Sequence, residues 1–377
     1  MKRKRILYIS DISIWAGSSH SLVNLISTLP QEYEPIVLFA GKGEVYDYMK
    51  GLGIECMVFK YVHNIAPFRW HIKTLIHCFV YLVEYYVFNK LCILYVSRKL
   101  RGKIDIVHSN SSAVPIGQEI ARRIGAKHVW QIREYIDTFL DVIVLGGRNG
   151  LQKKIQASDS VICISNPIVH HWNLEGKDKV FVLWNAVRSV KDTVYIEQKE
   201  KYFLFCCGYL CDFKGADFAT KCFCEANLFH DYKLKFVGRY SESYKENLLE
   251  ISRQYDAEGS LEFLGFQYED EIKGIYAHAT AFLQCSKIEG LGRTVIEAMF
   301  YGCPVIARNN GGTVDFVKDG LNGYLFETME DCVEKMKYVA EESVVDIIKN
   351  AQRTAIDGFS IEGYGRKLEY IYAKVLS

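Results

Sequence analysis

Short runs of β-branched and aromatic residues alternate along the chain with longer stretches of helical period, the rhythm of parallel strands joined by crossover helices. The first half carries Ile6 to Ser10, Ile36 to Ala40, Cys56 to Phe59, Ile104 to His108, Lys127 to Gln131, Val161 to Ser165 and Val180 to Leu183. After a polar stretch, Arg188 to Lys201, the rhythm restarts with Tyr202 to Cys207, Leu234 to Val237, Leu261 to Leu264, Ala281 to Cys285, Val305 to Ala307 and Tyr324 to Phe326. The pattern predicts two doubly wound α/β domains with parallel, Rossmann-like sheets, residues 1–185 and 202–358, joined by a linker over 186–201. Open parallel sheets bind ligands outside the carboxyl ends of their strands, so a cleft between two such domains is the expected site.

The apolar and aromatic run from Leu75 to Val96 breaks this rhythm and predicts one long helix, with basic flanks at Arg69, Lys73, Arg98, Lys99, Arg101 and Lys103. Glu84, Asn89 and Lys90 interrupt it. Its longest uncharged stretch, Thr74 to Val83, is ten residues, too short to cross a bilayer. Two readings stay open. The apolar residues nearly encircle the helix, as in a buried core element. Tyr81, Tyr85, Tyr86 and Tyr95 beside basic anchors equally suit a membrane interface.

Composition narrows the class. With 377 residues, 49% hydrophobic, and 46 basic against 45 acidic side chains, the chain is globular and long enough for two cores, which excludes disorder, collagen and a disulfide scaffold. The near-neutral total hides an asymmetry: residues 1–185 carry 23 Lys and Arg against 15 Asp and Glu, a surplus of 8, and the remainder carries 23 against 30, a deficit of 7. A basic first half could meet a membrane surface, nucleic acid or a phosphorylated substrate, or the two signs could attract each other between domains. The 12 cysteines show neither C-x-x-C nor zinc-site spacing and lie in apolar runs, the pattern of a reduced cytoplasmic protein. Only Ile6 to Ile9 follows the basic start before Ser10 and Asp11 intervene, so the amino terminus reads as a first strand rather than a secretory signal.

The richest passage for chemistry runs from Ser286 through Glu289, Gly290, Gly292, Arg293 and Glu297, followed by Gly302-Cys-Pro-Val, Gly311-Gly312 and Asn322-Gly323. A strand ending at Cys285 leads into a loop whose glycines permit close approach of backbone to ligand, and a helix begins near Arg293 with its free N–H groups at the mouth. Glu289 in the loop and Glu297 one turn into the helix could grip several sugar hydroxyls through charge-assisted hydrogen bonds. Glu297 could instead only complement the helix dipole. Lys214-Gly215 sits at the mouth of another helix, where an ammonium and unpaired N–H groups could hold a diphosphate.

These residues resemble the retaining nucleotide-sugar glycosyltransferases of family 4, which have the GT-B fold. The resemblance spans nearly the whole chain and rests on the E-x7-E pair Glu289 and Glu297 with Lys214-Gly215, Gly302-Cys-Pro-Val, Gly311-Gly312 and Asn322-Gly323. It implies that Lys214 binds the donor diphosphate, Glu289 the transferred sugar and Glu297 the ribose, with Gly290, Gly292 and Gly312 on the donor side. In the first half, Ala16-Gly-Ser-Ser resembles the family's first glycine loop, with Gly17 beside diphosphate or acceptor and Ala16 in place of a second glycine. His108 and Ile132-Arg-Glu resemble later strand ends. Arg133 stands where the family often has His; always protonated, it would hold phosphate or orient the sugar. Glu134 would orient it or meet the acceptor, as His108 would, or Arg133 and Glu134 form a structural pair. Tyr209 replaces a common Arg, and Arg293, or else Arg239, is expected to supply the missing cation.

The resemblance further implies transfer of a hexose from UDP-, GDP- or another nucleotide sugar to a saccharide or polyprenyl-linked acceptor, with no cofactor. No D-x-D motif occurs to hold Mg²⁺ or Mn²⁺. Residues 359–377 are expected to return to the first domain. The expected location is cytoplasmic, at the inner face of a membrane if residues 69–103 make contact there, in surface polysaccharide assembly. An epimerase, a hydrolase or a catalytically silent partner subunit of the same fold are the competing readings. No G-x-G-x-x-G joins a strand to a helix, against a dinucleotide-dependent dehydrogenase, and no motif supports nucleic-acid binding.

Overall fold

The computed structural model describes residues 3–67, 72–138 and 142–377. It has two compact units, Met1–Ala186 with Gly363–Ser377, and Val187–Glu362. In chain order the first unit holds β1 (Lys4–Ile9), β2 (Tyr33–Phe39), β3 (Glu55–Val58), β4 (Ile65–Pro67), β5 (Ile106–Ser109), β6 (Lys127–Ile132), β7 (Val142–Val144), β8 (Ser160–Cys163) and β9 (Val180–Val182). Seven of these form a parallel sheet in the order β3-β2-β1-β5-β6-β8-β9, with Leu7 of β1 opposite Ile36 on one side and Val107 on the other. Strands covered on both faces read as unbroken apolar runs, which is why the pattern finds them. The antiparallel pair β4 and β7 was not expected: each has three residues, and β4 ends on a proline.

The second unit holds β10 (Tyr202–Tyr209), β11 (Lys233–Arg239), β12 (Leu261–Gly265), β13 (Ala281–Gln284), β14 (Val305–Arg308) and β15 (Tyr324–Phe326). They form a parallel sheet ordered β12-β11-β10-β13-β14-β15. Its core packs Phe203, Phe205, Phe236, Leu283 and Ile306 against Phe223 of the helix Ala216–Glu225 and Met336 of the helix Met329–Glu341. The fold class is therefore as the pattern predicts, two doubly wound parallel-sheet units. In each sheet the strand order reverses at one place, β1/β5 and β10/β13, and the crevice there is the position such sheets offer to ligands.

The stretch read as a linker is tied into the second unit. Val194 N–H donates to Phe300 O at 3.1 Å, and the Lys199 ammonium donates to Ala277 O at 2.6 Å and Gly302 O at 2.8 Å. Residues 363–377 of the last helix, Ile361–Leu376, belong to the first unit. There the Tyr8 and Tyr372 hydroxyls meet at 2.9 Å, and the Tyr372 hydroxyl meets His108 Nδ1 at 2.8 Å. His108 Nε2 lies 3.1 Å from Gln131 Oε1. A carbonyl oxygen only accepts, so Nε2 carries the proton, Tyr372 donates to Nδ1 and Tyr8 donates to Tyr372. All twelve cysteines are thiols, and none is fully exposed.

The long helix is Ile72–Leu100; Arg69, one of its expected flanks, lies outside the described residues. Its segment Ile76–Leu100 is long and apolar enough, by length and composition, to cross a membrane, which the count of uncharged residues had not allowed. Its end is nevertheless built into the first unit's core: Cys92, Val96 and Leu100 are at most 2% exposed and pack with Leu7, Val107 and Ile120.

Burial depresses His108 and His128 to about 3. The unfolded chain binds these protons near pH 6.5 and the folded chain does not, so stability is full above pH 6.5 and is lost as pH falls toward 3. We expect denaturant unfolding of the first unit to lose about 2 kcal/mol per histidine between pH 7 and pH 5. The loss should shrink in His128→Gln; an unchanged pH slope would contradict it.

Candidate active site

The loops that follow β10 and β13, on either side of the reversal in strand order, carry the residues singled out for chemistry. After β10 the chain turns through Leu210 to Lys214, and Gly215 caps the helix Ala216–Glu225 with φ +78°. A Cβ on Gly215 would lie 2.3 Å from Cys285 O, so only glycine lets this turn lie on the end of β13. Lys287 N–H donates to Phe213 O at 3.0 Å and fixes the two loops together. The result is an ion pair, Lys214 Nζ to Glu289 Oε2 at 2.9 Å, with both side chains partly open to solvent. Burial opposes the charge on Lys214, but the Glu289 carboxylate outweighs it and holds the ammonium above its usual value.

A third loop, the 3-10 turn Gly311–Asp315 after β14, supports the second from behind. Gly312 N–H donates to Glu289 O at 2.9 Å, and a Cβ on Gly312 would lie 2.2 Å from Gly290 O. Asn310 Nδ2 donates to Ser286 O at 3.1 Å and Lys287 O at 2.7 Å. Gly312 thus shapes the loop that carries Glu289 through backbone contact. Gly292, at φ +87°, caps the helix Arg293–Phe300.

Glu297 lies on that helix and is 8% exposed. Its Oε1 is 3.1 Å from Arg188 Nη2 and 3.4 Å from Arg293 Nε. A carboxylate this buried requires partners, and two guanidinium groups supply them. Arg188 escaped the sequence reading because it sits in the polar stretch taken for a linker, where no spacing marks it. Arg293, expected on the diphosphate, is placed against Glu297 and within 3.5 Å of Val187 O. Tyr209 is 52% exposed and pairs in register with Arg239 of β11, whose guanidinium lies over the Phe266 ring at 5.4 Å.

The remaining candidates lie in the first unit. Arg133 is 6% exposed and spends its donors inside it: Nε on Asn110 O at 2.9 Å, Nη1 on Asn185 Oδ1 at 2.5 Å, and Nη2 on Asn110 Oδ1 at 2.8 Å and Gln131 Oε1 at 2.7 Å. Such a guanidinium braces strand ends. Glu134 Oε1 accepts from the Ser111 hydroxyl at 2.7 Å, from Ser112 N–H at 2.9 Å and from the Ser112 hydroxyl at 2.5 Å; burial raises its pKa above the usual carboxylate value despite these bonds. His108 is fully buried and neutral. The structure thus brings Lys214 to Glu289 and Glu297 to Arg188 and Arg293, whereas His108 and Arg133 are absorbed into the packing of the first unit. Gly17 opens the helix Gly17–Ser27 beside β1, with open space where a Cβ would be. Among the described residues, no group of three or more His, Cys, Asp or Glu is arranged to hold a metal ion.

Residues 188–354 match the family Glycosyl transferases group 1. An uncharacterized glycosyltransferase of Methanocaldococcus jannaschii is 24% identical over 272 residues, 71% of this chain and 72% of that protein. The alpha-1,3/1,6-mannosyltransferase of Dictyostelium discoideum is 28% identical over 156 residues, 38% of this chain and 36% of its own length. The crystal structure of Anabaena HepE with UDP and glucose superposes with a TM-score of 0.76 at 16% identity, covering 99% of this chain and 100% of that one. The lipopolysaccharide outer core galactosyltransferase WaaB gives 0.72 at 19% identity, covering 98% and 99%. The chain has the GT-B fold, and the match to the group 1 family lies within its second unit.

The glycine contacts make a paired prediction. Gly215→Ala, strained in φ and driven into Cys285 O, should destabilise the second unit by more than about 1 kcal/mol. Gly17→Ala should change stability by less than about 0.5 kcal/mol. Denaturant unfolding of the two variants checks both, and equal effects would contradict the reading of the loop contact.

Proposed function

We propose that the chain is a retaining, metal-independent hexosyltransferase of the family 4 kind. It moves a hexose from a nucleotide diphosphate sugar to a saccharide or lipid-linked saccharide acceptor in surface polysaccharide assembly. It works in the cytoplasm at the inner face of a membrane. The observation that carries this reading is the Lys214–Glu289 pair where the strand order of the group 1 domain reverses. The complexes of HepE with UDP and with UDP-glucose support a uridine diphosphate donor.

Without a donor, the ammonium and the carboxylate neutralise each other. A diphosphate arriving at the mouth of the helix Ala216–Glu225 competes for Lys214 and releases Glu289 to accept hydrogen bonds from the hydroxyls of the sugar. The anomeric C–O bond then breaks with its electron pair on the β-phosphate oxygen, and the acceptor oxygen bonds to the anomeric carbon from the same face. The proton of the acceptor passes to that phosphate oxygen. Lys214 and the N–H groups at the helix mouths oppose the growing negative charge. Glu297, fixed by Arg188 and Arg293, presents a fixed acceptor to the ribose hydroxyls.

Lys214→Ala and Glu289→Gln should each lower kcat by about 10²- to 10³-fold, with folding retained by circular dichroism; wild-type rates in both would refute the assignment. Excess EDTA should leave the rate unchanged. NMR of the product should show the donor's anomeric configuration, and the inverted anomer would refute retention.

A further inference from the structure

In the first unit the segments after β1 and β2 border a cavity of about 420 Å³, lined among others by Asp11, Ser13, Tyr61, His63, Tyr81 and Glu84. Ile12, Ile14, Ala40 and Val62 make part of its wall apolar, and the polar groups among them are held in place. Asp11 Oδ1 accepts from Asn110 Nδ2 at 3.2 Å, and His63 Nε2 donates to Asp11 O at 2.7 Å. The Tyr81 hydroxyl donates to His63 O at 3.1 Å. Glu84 pairs with Lys60 at 2.7 Å. Buried Asn89 clamps both backbone groups of Val62, accepting from its N–H at 2.8 Å and donating to its O at 3.0 Å. Tyr81, Glu84 and Asn89 all belong to the helix Ile72–Leu100, so that helix is one wall of the cavity.

The other side of the same helix is apolar and uncovered. Ile76, Phe79, Val80, Val83, Val87 and Leu91 are 46–67% exposed, with Tyr86 and Tyr95 at 69% and 43%. Their spacing of three and four residues places them in one strip along the helix, about 28 Å long from Ile76 to Tyr95 at 1.5 Å per residue. A continuous apolar patch of this kind marks an interaction surface. Exposed Lys90, Arg98 and Lys99 continue the strip, and Arg101 and Lys103 follow it. Because Cys92, Val96 and Leu100 are packed into the core of the first unit, the helix cannot leave the unit to cross a bilayer. Cations at one end and tyrosines within the strip complement an anionic lipid surface.

We infer that this strip lies in the headgroup and acyl boundary of an anionic membrane, and that the Asp11–Glu84 cavity takes the saccharide head of an acceptor carried in that membrane. The carboxylates of Asp11 and Glu84 bond sugar hydroxyls while the tail of the acceptor stays among the lipids against the strip. This rests on the glycosyltransferase reading above and specifies its acceptor.

Flotation of the full chain with phosphatidylcholine vesicles containing about 30% phosphatidylglycerol tests the membrane half. The wild type should float with them, less with phosphatidylcholine alone and less in high salt. Phe79→Glu with Val83→Glu should cut the bound fraction at least about tenfold. A wild type that stays unbound, or a double variant that floats equally, overturns the inference. So does self-association in sedimentation velocity that the double variant abolishes, because a second copy would then cover the strip. For the cavity, Asp11→Asn with Glu84→Gln should float normally and bind UDP normally. It should lose at least about tenfold in kcat/KM for transfer into a membrane-lipid extract, with the KM for nucleotide sugar unchanged. Unchanged transfer in this variant, or wild-type transfer only into water-soluble acceptors, overturns it. Flotation is read without nucleotide, so a wild type that floats but binds no nucleoside diphosphate, UDP and GDP included, strikes the glycosyltransferase reading, and the acceptor role with it, while the membrane contact stands.

Discussion

The candidate site depends on a contact made almost without side chains. Three loops meet backbone to backbone in the second unit, Gly215 on Cys285, Gly311 on Glu289 and Gly312 on Gly290, and only residues lacking a Cβ allow that spacing. The parallel sheet ends β10 and β13 side by side, but adjacency alone leaves room for loops that splay apart. The glycines close that room. Lys214 and Glu289, 75 residues apart in sequence, then face each other at 2.9 Å.

What could be read from the sequence follows from the same physics. The inner parallel strands announce themselves because both faces are covered, so apolar residues run on rather than alternate. The glycines and the acids of the second unit stand out because their spacing is tied to loop geometry. Arg188 stayed hidden since its partner Glu297 is 109 residues away and its neighbours are polar. His108 and Arg133 are the opposite case. A polar side chain at a strand end looks the same in sequence whether it faces a ligand or closes a buried network, and here the Tyr8, Tyr372, His108 and Gln131 chain with Asn110 and Asn185 consumes them.

The long helix was ambiguous for a related reason. An element apolar all round carries no moment to say which side is covered. In the structure the answer changes along its length: Cys92, Val96 and Leu100 are core, whereas Phe79, Val80 and Val83 are open. Only the fold of the first unit, which supplies neighbours to one end of the helix, separates the two halves.

The two acids of the second unit are close in sequence but are suited to different work. Glu289 and Lys214 are about a fifth and a third exposed, so water screens their attraction and a competing diphosphate can separate them at modest cost. Glu297 is far less accessible and shares two guanidinium groups. Removing a partner from so buried a carboxylate would leave an uncompensated charge, which costs several kcal/mol. An exchangeable pair beside a fixed one suits a site that must release a carboxylate to an arriving sugar while holding the nucleotide in one orientation. In the function proposed above, the burial of each acid, more than its identity, is what suits Glu289 to exchange and Glu297 to anchoring.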